Sequence, residues 1–135
     1  MIEGGCQCGK VQYKADSAIS DMSHCHCSMC RKLHGAAYAT FARVERERFH
    51  WSAGEDALMT YASSETIDRV FCGNCSSPLF AYYKPEPDAL YLTMGTVDGN
   101  PECPPAYHMF VGSKAPWHDI TDGQPEHDTW PDENA

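Results

Sequence analysis

Seven of the eight cysteines fall in three tight groups: Cys6 and Cys8 in a C-x-C, Cys25, Cys27 and Cys30 in a C-x-C-x-x-C, and Cys72 and Cys75 in a C-x-x-C. Cys103 stands alone. Close pairs on a sharp turn aim two sulfurs at one point roughly 2.3 Å away, the arrangement a tetrahedral zinc requires. A disulfide framework fits poorly, because three crowded cysteines at 25, 27 and 30 would each need a separate partner at a suitable Cα distance. A single C-x-x-C is a weak signal; three groups in one short chain are a strong one.

Seven thiols suggest a four-plus-three division. A structural zinc is closed by four protein ligands, whereas a catalytic zinc commonly has three and leaves one position for water or substrate. Cys25, Cys27 and Cys30 would form the open site, and Cys6, Cys8, Cys72 and Cys75 the closed one. Spacing alone also admits another partition, with Cys103 as a fourth ligand. Three thiolates leave a zinc site at a charge of -1, a weak Lewis acid better suited to holding a soft thiol than to making hydroxide from water. An anionic thiol would need basic neighbours; Arg31 and Lys32 directly follow the cluster, Arg69 precedes the last C-x-x-C, and Lys114 lies in GSKAPW. Arg31, Lys32 and Lys114 are the candidate substrate-binding residues. His24 and His26 flank the cluster and read as hydrogen-bonding or packing residues around it, with direct ligation the lesser reading. His34 and His108 could move a proton to a developing alkoxide, although each reads first as structural. Phe41, Trp51, Tyr61 and Trp117 read as core or pocket wall.

The elements that must position these groups are mainly strands. Alternation of apolar and polar residues predicts strands over Val11–Ala15, Ala37–Val44, Thr66–Phe71, Leu79–Tyr83, Leu90–Thr96 and Tyr107–Val111. Gly99-Asn100-Pro101 and Pro104-Pro105 punctuate the gaps. Helix is scarce, with short turns expected at Val44–Arg48 and at Asp56–Tyr61, the latter equally readable as a strand. The metal knuckles are expected at strand ends.

With 135 residues, 42% hydrophobic and 21% charged, the chain fits one globular domain. A net charge of -9 argues against a duplex-DNA binder working by phosphate neutralisation. The surplus is uneven: residues 1–118 carry 10 basic against 13 acidic residues, whereas 119–135 hold six acids and no lysine or arginine. The reading is a single zinc-binding β domain over 1–118 and a solvated acidic tail over 119–135. No stretch approaches roughly 18 consecutive apolar residues, and MIEGGCQCGK lacks a basic segment followed by an apolar one, so neither a membrane nor export is expected. The cytoplasm, where glutathione keeps such thiols reduced, is the expected compartment. Self-association into a homo-oligomer is left open.

The ordered segments GGCQCGKVQY, HCHCSMCRKLHG, RVFCGNCSSPL and HMFVGSKAPWHDI resemble the successive signatures of the glutathione-dependent formaldehyde-activating enzyme family, to which centromere protein V is related. The resemblance covers residues 4 to about 125. It implies a small zinc-binding β fold of twisted antiparallel sheets, similar to methionine sulfoxide reductase B. It further implies two zinc ions per chain, a structural one on Cys6, Cys8, Cys72 and Cys75 and a catalytic one on Cys25, Cys27 and Cys30. Ser76 departs from the pattern, standing where the family usually has glycine, so that turn must carry a side chain.

The activity so implied is that of a zinc-dependent carbon–sulfur lyase, or glutathione–aldehyde adduct enzyme. Glutathione sulfur adds to formaldehyde to give S-(hydroxymethyl)glutathione, with a small-molecule thiol and a small aldehyde as the partners. The competing reading is a zinc-stabilised protein-binding module without turnover. Methionine sulfoxide reduction is disfavoured because it needs a redox cysteine outside the metal sites, and Cys103 is the one spare.

Overall fold

The structure, a computed structural model, describes residues 1–131. Among the described residues ten strands form two sheets. The smaller is antiparallel and places β2 (Gln12–Ala15) between β1 (Ile2–Gly5) and β5 (Phe49–Ala53). The larger combines β3 (Met22–Cys25), β4 (Ala39–Glu45), β6 (Leu58–Ala62), β7 (Ile67–Cys72), β8 (Pro78–Tyr83), β9 (Ala89–Thr93) and β10 (Tyr107–Met109). Its order is β10-β3-β4-β9-β8-β7-β6, antiparallel throughout except for the parallel β10–β3 pair. One α-helix, α1 (Ser28–His34), follows β3. Among the described residues no helix is long and apolar enough to cross a membrane.

Apolar alternation does what it predicts in the central strands. Leu90 and Leu92 of β9, Leu79 of β8 and Val44 of β4 point into one core, which Val11, Tyr13 and Ala15 meet from the smaller sheet. Fully burying such a side chain is worth about 1.5–3 kcal/mol, so this layer holds the two sheets together. Phe49, Trp51 and Phe80 extend it, with the Trp51 and Phe80 rings stacked at 5.9 Å. The two expected helical turns are short 3₁₀ turns at Arg46–Arg48 and Glu55–Ala57, the second leading into β6.

Three strands and the α-helix are additions to the sequence reading. Strand β1 carries Gly4 and Gly5, which give no alternation signal. Gly4 is required there: a Cβ would lie 2.3 Å from the Thr96 carbonyl oxygen and 2.4 Å from Tyr13 Oη. Strands β3 and β5 are each half polar, MSHC and FHWSA. The acidic segment from Asp119, expected as a solvated tail, has its described acids exposed while its backbone runs along β10. His108 N–H donates to the Pro125 carbonyl, His127 N–H to His108, and Phe110 N–H to Thr129. Residues 132–135 of that segment lie outside the described residues. The described part of the segment is thus tied to the sheet by backbone hydrogen bonds that composition does not reveal.

Candidate metal centres

The four sulfurs of Cys6, Cys8, Cys72 and Cys75 lie within 4.8 Å of one another. Cys6 and Cys8 sit in the turn joining β1 to β2; Cys72 ends β7 and Cys75 lies in the turn to β8. The Cys6–Cys8 and Cys8–Cys72 Sγ separations are 3.5 and 3.9 Å. A tetrahedron of sulfurs at 2.3 Å from its centre has edges of about 3.8 Å, so the four thiols suit a zinc ion and are too far apart for a disulfide. Donors converge on the sulfurs: Val11 N–H on Cys6 at 3.2 Å, Asn74 N–H on Cys72 at 3.4 Å, and Asn74 Nδ2 on Cys8 at 3.3 Å. The Ser77 hydroxyl, with the Ser77 backbone amide, holds the Cys75 thiol down to about 5. Such hydrogen bonds favour the thiolate, the form that ligates metal. Ser76 in this turn has φ 71°, the left-handed conformation that glycine adopts without strain.

Cys25, Cys27 and Cys30 form a second cluster within the same 4.8 Å limit. Cys25 ends β3, Cys27 caps α1, and Cys30 lies in its first turn. The Cys27 sulfur accepts from the Cys30 amide at 3.3 Å, so the residue that starts the helix also faces the cluster. The thiol of Cys27 is drawn well below its ordinary range, chiefly by hydrogen bonding from Cys25 and then from Cys30, while that of Cys25 is pushed up. Metal is the simplest partner for three sulfurs so placed. Cys103 belongs to neither cluster; it is exposed, with its sulfur 3.5 Å from the Pro101 carbonyl.

Among the basic residues described, Arg69 is the one hydrogen-bonded to a thiol of this cluster, that of Cys30. Arg69, 9% exposed, donates through Nη1 and Nη2 to Cys30 Sγ at 3.6 and 3.7 Å and through Nε to the Ser63 hydroxyl at 3.1 Å. Arg69 and Cys72, three apart in a strand whose register with β6 is unbroken, point to opposite faces of β7, Arg69 to the three-thiol cluster and Cys72 to the four-thiol one, while the register shift beside them adds Leu79 to β8. The other three are more peripheral. Arg31 Nε donates to the Ser113 carbonyl at 3.2 Å, Lys114 Nζ donates to the His118 carbonyl at 2.6 Å, and Lys32 is exposed.

Behind the cluster runs a chain of three side chains. The Asp122 carboxylate is 2.8 Å from His108 Nε2, and His108 Nδ1 is 2.8 Å from His26 Nε2. If the carboxylate accepts from His108, then His108 Nδ1 accepts from His26, and His26 Nδ1 is left as a buried acceptor without a hydrogen-bond partner. Burial, with His108 beside it, lowers the His26 pKa to about 4, so that ring is neutral. His24 is held separately, Nδ1 to the Thr40 hydroxyl at 2.8 Å. The four histidine roles thus divide: His24 and His26 surround the thiol loop, His108 ties it to the C-terminal segment, and His34 packs edge-on against Phe41.

A cavity of about 370 Å³ is lined in part by Arg69. Phe41 and Phe80 form part of its wall and Tyr61, 54% exposed, lies at it, in keeping with the pocket-wall reading. Trp117 departs from that reading, being 73% exposed. Thr93, at the end of β9, also lines the cavity. Of the site residues, Asp122 escaped the sequence reading because it lies in the acidic stretch, and Thr93 because nothing distinguishes a threonine ending a strand.

Residues 1–113 match the family model described as glutathione-dependent formaldehyde-activating enzyme. The chain belongs to that family. An uncharacterized lyase of Schizosaccharomyces pombe is 30% identical over 81 residues, a match spanning 60% of this chain and 57% of that protein. A crystal structure of a Rhodobacter sphaeroides protein is similar with a TM-score of 0.63 at 22% identity, over 73% of this chain and 89% of that one. The second likeness is one of fold.

Proposed function

We propose that this family member forms and cleaves a glutathione–aldehyde adduct at the Cys25, Cys27 and Cys30 cluster, with one zinc ion there and a structural one on Cys6, Cys8, Cys72 and Cys75. The observation that carries this reading is the unequal count of convergent sulfurs, four at one cluster and three at the other. When bound at the three-thiol cluster, zinc supplies a soft position that keeps a small thiol as thiolate near neutral pH.

The chain's own residues do the rest. Arg69 offsets negative charge at Cys30 and holds that sulfur in place. Arg31 and Lys114, on the side of α1 that faces the 111–118 turn, are assigned to the glutathione carboxylates, with Lys32 adding charge at the surface. In the forward direction glutathione gives up its S–H proton, its sulfur forms a bond to the aldehyde carbon, and the carbonyl oxygen takes up a proton. With formaldehyde the product is S-(hydroxymethyl)glutathione; the reverse is carbon–sulfur cleavage. The likeness to methionine sulfoxide reductase B extends in this proposal to fold alone, since Cys103 is the one cysteine outside the clusters and lies apart from the cavity beside Arg69.

Exchange spectroscopy on glutathione and formaldehyde at equilibrium tests the reading. The zinc-loaded protein should accelerate exchange in proportion to its concentration, and Cys27→Ser, still folded, should not. Unaccelerated exchange with both zinc ions bound would leave a zinc-stabilised protein-binding module as the reading.

A further inference from the structure

We propose that the cavity beside Arg69 receives the body of an aldehyde larger than formaldehyde, one with an aromatic or branched apolar group. The inference rests on the reading that chemistry occurs at the three-thiol cluster and names the substrate class of that site.

Size is the first ground. The cavity measures about 370 Å³, and a water molecule, close to formaldehyde in heavy-atom count, takes up roughly 30 Å³. Formaldehyde would leave most of the chamber to solvent, whereas a volume of this order is typical of a site that encloses an organic ligand.

Chemistry of the lining is the second ground. Phe41, Phe71 and Phe80 present aromatic surface, and the polar groups are few: His34, Arg69 and Thr93 among them. Glutathione, with its two carboxylates, ammonium and peptide groups, matches such walls poorly. An apolar substituent matches them well, because its transfer from water is favourable and leaves no polar group unpaired.

The third ground is the polar end. Thr93 is 7% exposed and its hydroxyl has no hydrogen-bond partner among the described residues. A buried polar atom of this kind asks for a ligand to satisfy it. Arg69 lines the same cavity and donates to Cys30 Sγ, so it joins the chamber to the thiol cluster. A carbonyl oxygen can accept from Arg69, or from the Thr93 hydroxyl once its side chain rotates to the cavity surface, while the apolar group points away toward Phe80. Because the thiolate charge offsets that of Arg69, a neutral carbonyl fits this end better than a second carboxylate. The reaction keeps its balance: the thiol sulfur bonds to the carbonyl carbon, the π pair moves to oxygen, and the proton released by the thiol is taken up there.

The test separates occupancy from turnover. In the zinc-loaded protein without thiol, the unreactive ketone phenylacetone and its small counterpart acetone are titrated by amide NMR. Phenylacetone should shift the amides around Leu33, Phe71 and Thr93 and bind at least about tenfold more tightly than acetone. Leu33→Glu, at a position 43% exposed and so tolerant of charge, should weaken phenylacetone about tenfold. Thr93→Val, which removes the hydroxyl and keeps the shape, should weaken both ketones. Equal affinities, or shifts confined to other parts of the molecule, overturn the proposal. With glutathione added, exchange of phenylacetaldehyde should be accelerated more than that of formaldehyde. Accelerated formaldehyde exchange with none for phenylacetaldehyde overturns the substrate class. If no aldehyde reacts while phenylacetone fills the cavity, the adduct reading of the thiol cluster fails and the cavity stands as an apolar-carbonyl site.

Discussion

At the scale of single residues, Arg69 bears most directly on the thiol cluster. Its two contacts to Cys30 Sγ are charge-assisted and largely shielded from water. Arg69→Met keeps much of the apolar stem but removes the donors, and should weaken metal at the three-thiol cluster by about ten- to a hundredfold, the usual effect of losing a group that orients a ligand. Chelator competition monitored by metal analysis should show one of two equivalents loosened; an unchanged profile would place Arg69 outside the site. Arg69→Lys should fall between, since an ammonium restores charge but not the two-pronged contact.

Asp122 offers a residue-scale test by pH. Its carboxyl is held below the ordinary 3.8 by the Gln124 backbone amide and then by His108. A depressed acid stabilises the fold above its unfolded pKa and loses that contribution as pH falls through the folded value. The wild type should therefore be more stable than Asp122→Asn near neutrality, and the gap should close in acid below about pH 4. Thermal unfolding of the pair across that range checks the sign; a gap that widens in acid would contradict the assignment.

Among the elements, the seven-residue helix α1 shows what spacing can and cannot tell. C-x-C-x-x-C read correctly as one convergent group, because its sulfurs are brought together by local geometry. The helix itself was hidden, being too short for an apolar period and started by a cysteine cap. Likewise the strand pattern located β7, but that the face carrying Arg69 meets the three-thiol cluster depends on how β3, β4 and β7 are arranged in the sheet. The knuckle between β7 and β8 is where the departure from the family pattern has a structural consequence. Ser76 at φ 71° bears left-handed strain that Ser76→Gly should relieve, with glycine's extra freedom in the unfolded chain opposing it. A net gain of up to about 1 kcal/mol is expected in denaturant titration; a loss would show that Ser76 supports the turn in another way.

For the whole molecule, the two clusters act on folding over different distances. Cys8 and Cys72 are 64 residues apart, so a metal between them ties the β1–β2 turn to the β7–β8 turn, whereas Cys25, Cys27 and Cys30 lie within six residues. Loop closure and metal binding free energy both favour the first as the structural staple. Cys72→Ser should thus lower the thermal midpoint more than Cys27→Ser does, and equal losses would refute the division of roles. Charge counting saw the surplus of acid after residue 118, but not the backbone bonds returning that segment to β10 nor the placement of Asp122 on His108. Composition reports solvation, and these contacts depend on a long-range docking that leaves no periodic trace.

The central claim, one closed and one open zinc site, is tested most directly by X-ray absorption at the zinc edge on the fully loaded protein before and after glutathione. Four sulfurs at one ion and three at the other predict an average of about 3.5 sulfurs per zinc, rising toward about 4 as the thiol enters the open position. An average of 4 before any thiol is added, or one that glutathione leaves unchanged, would contradict the account.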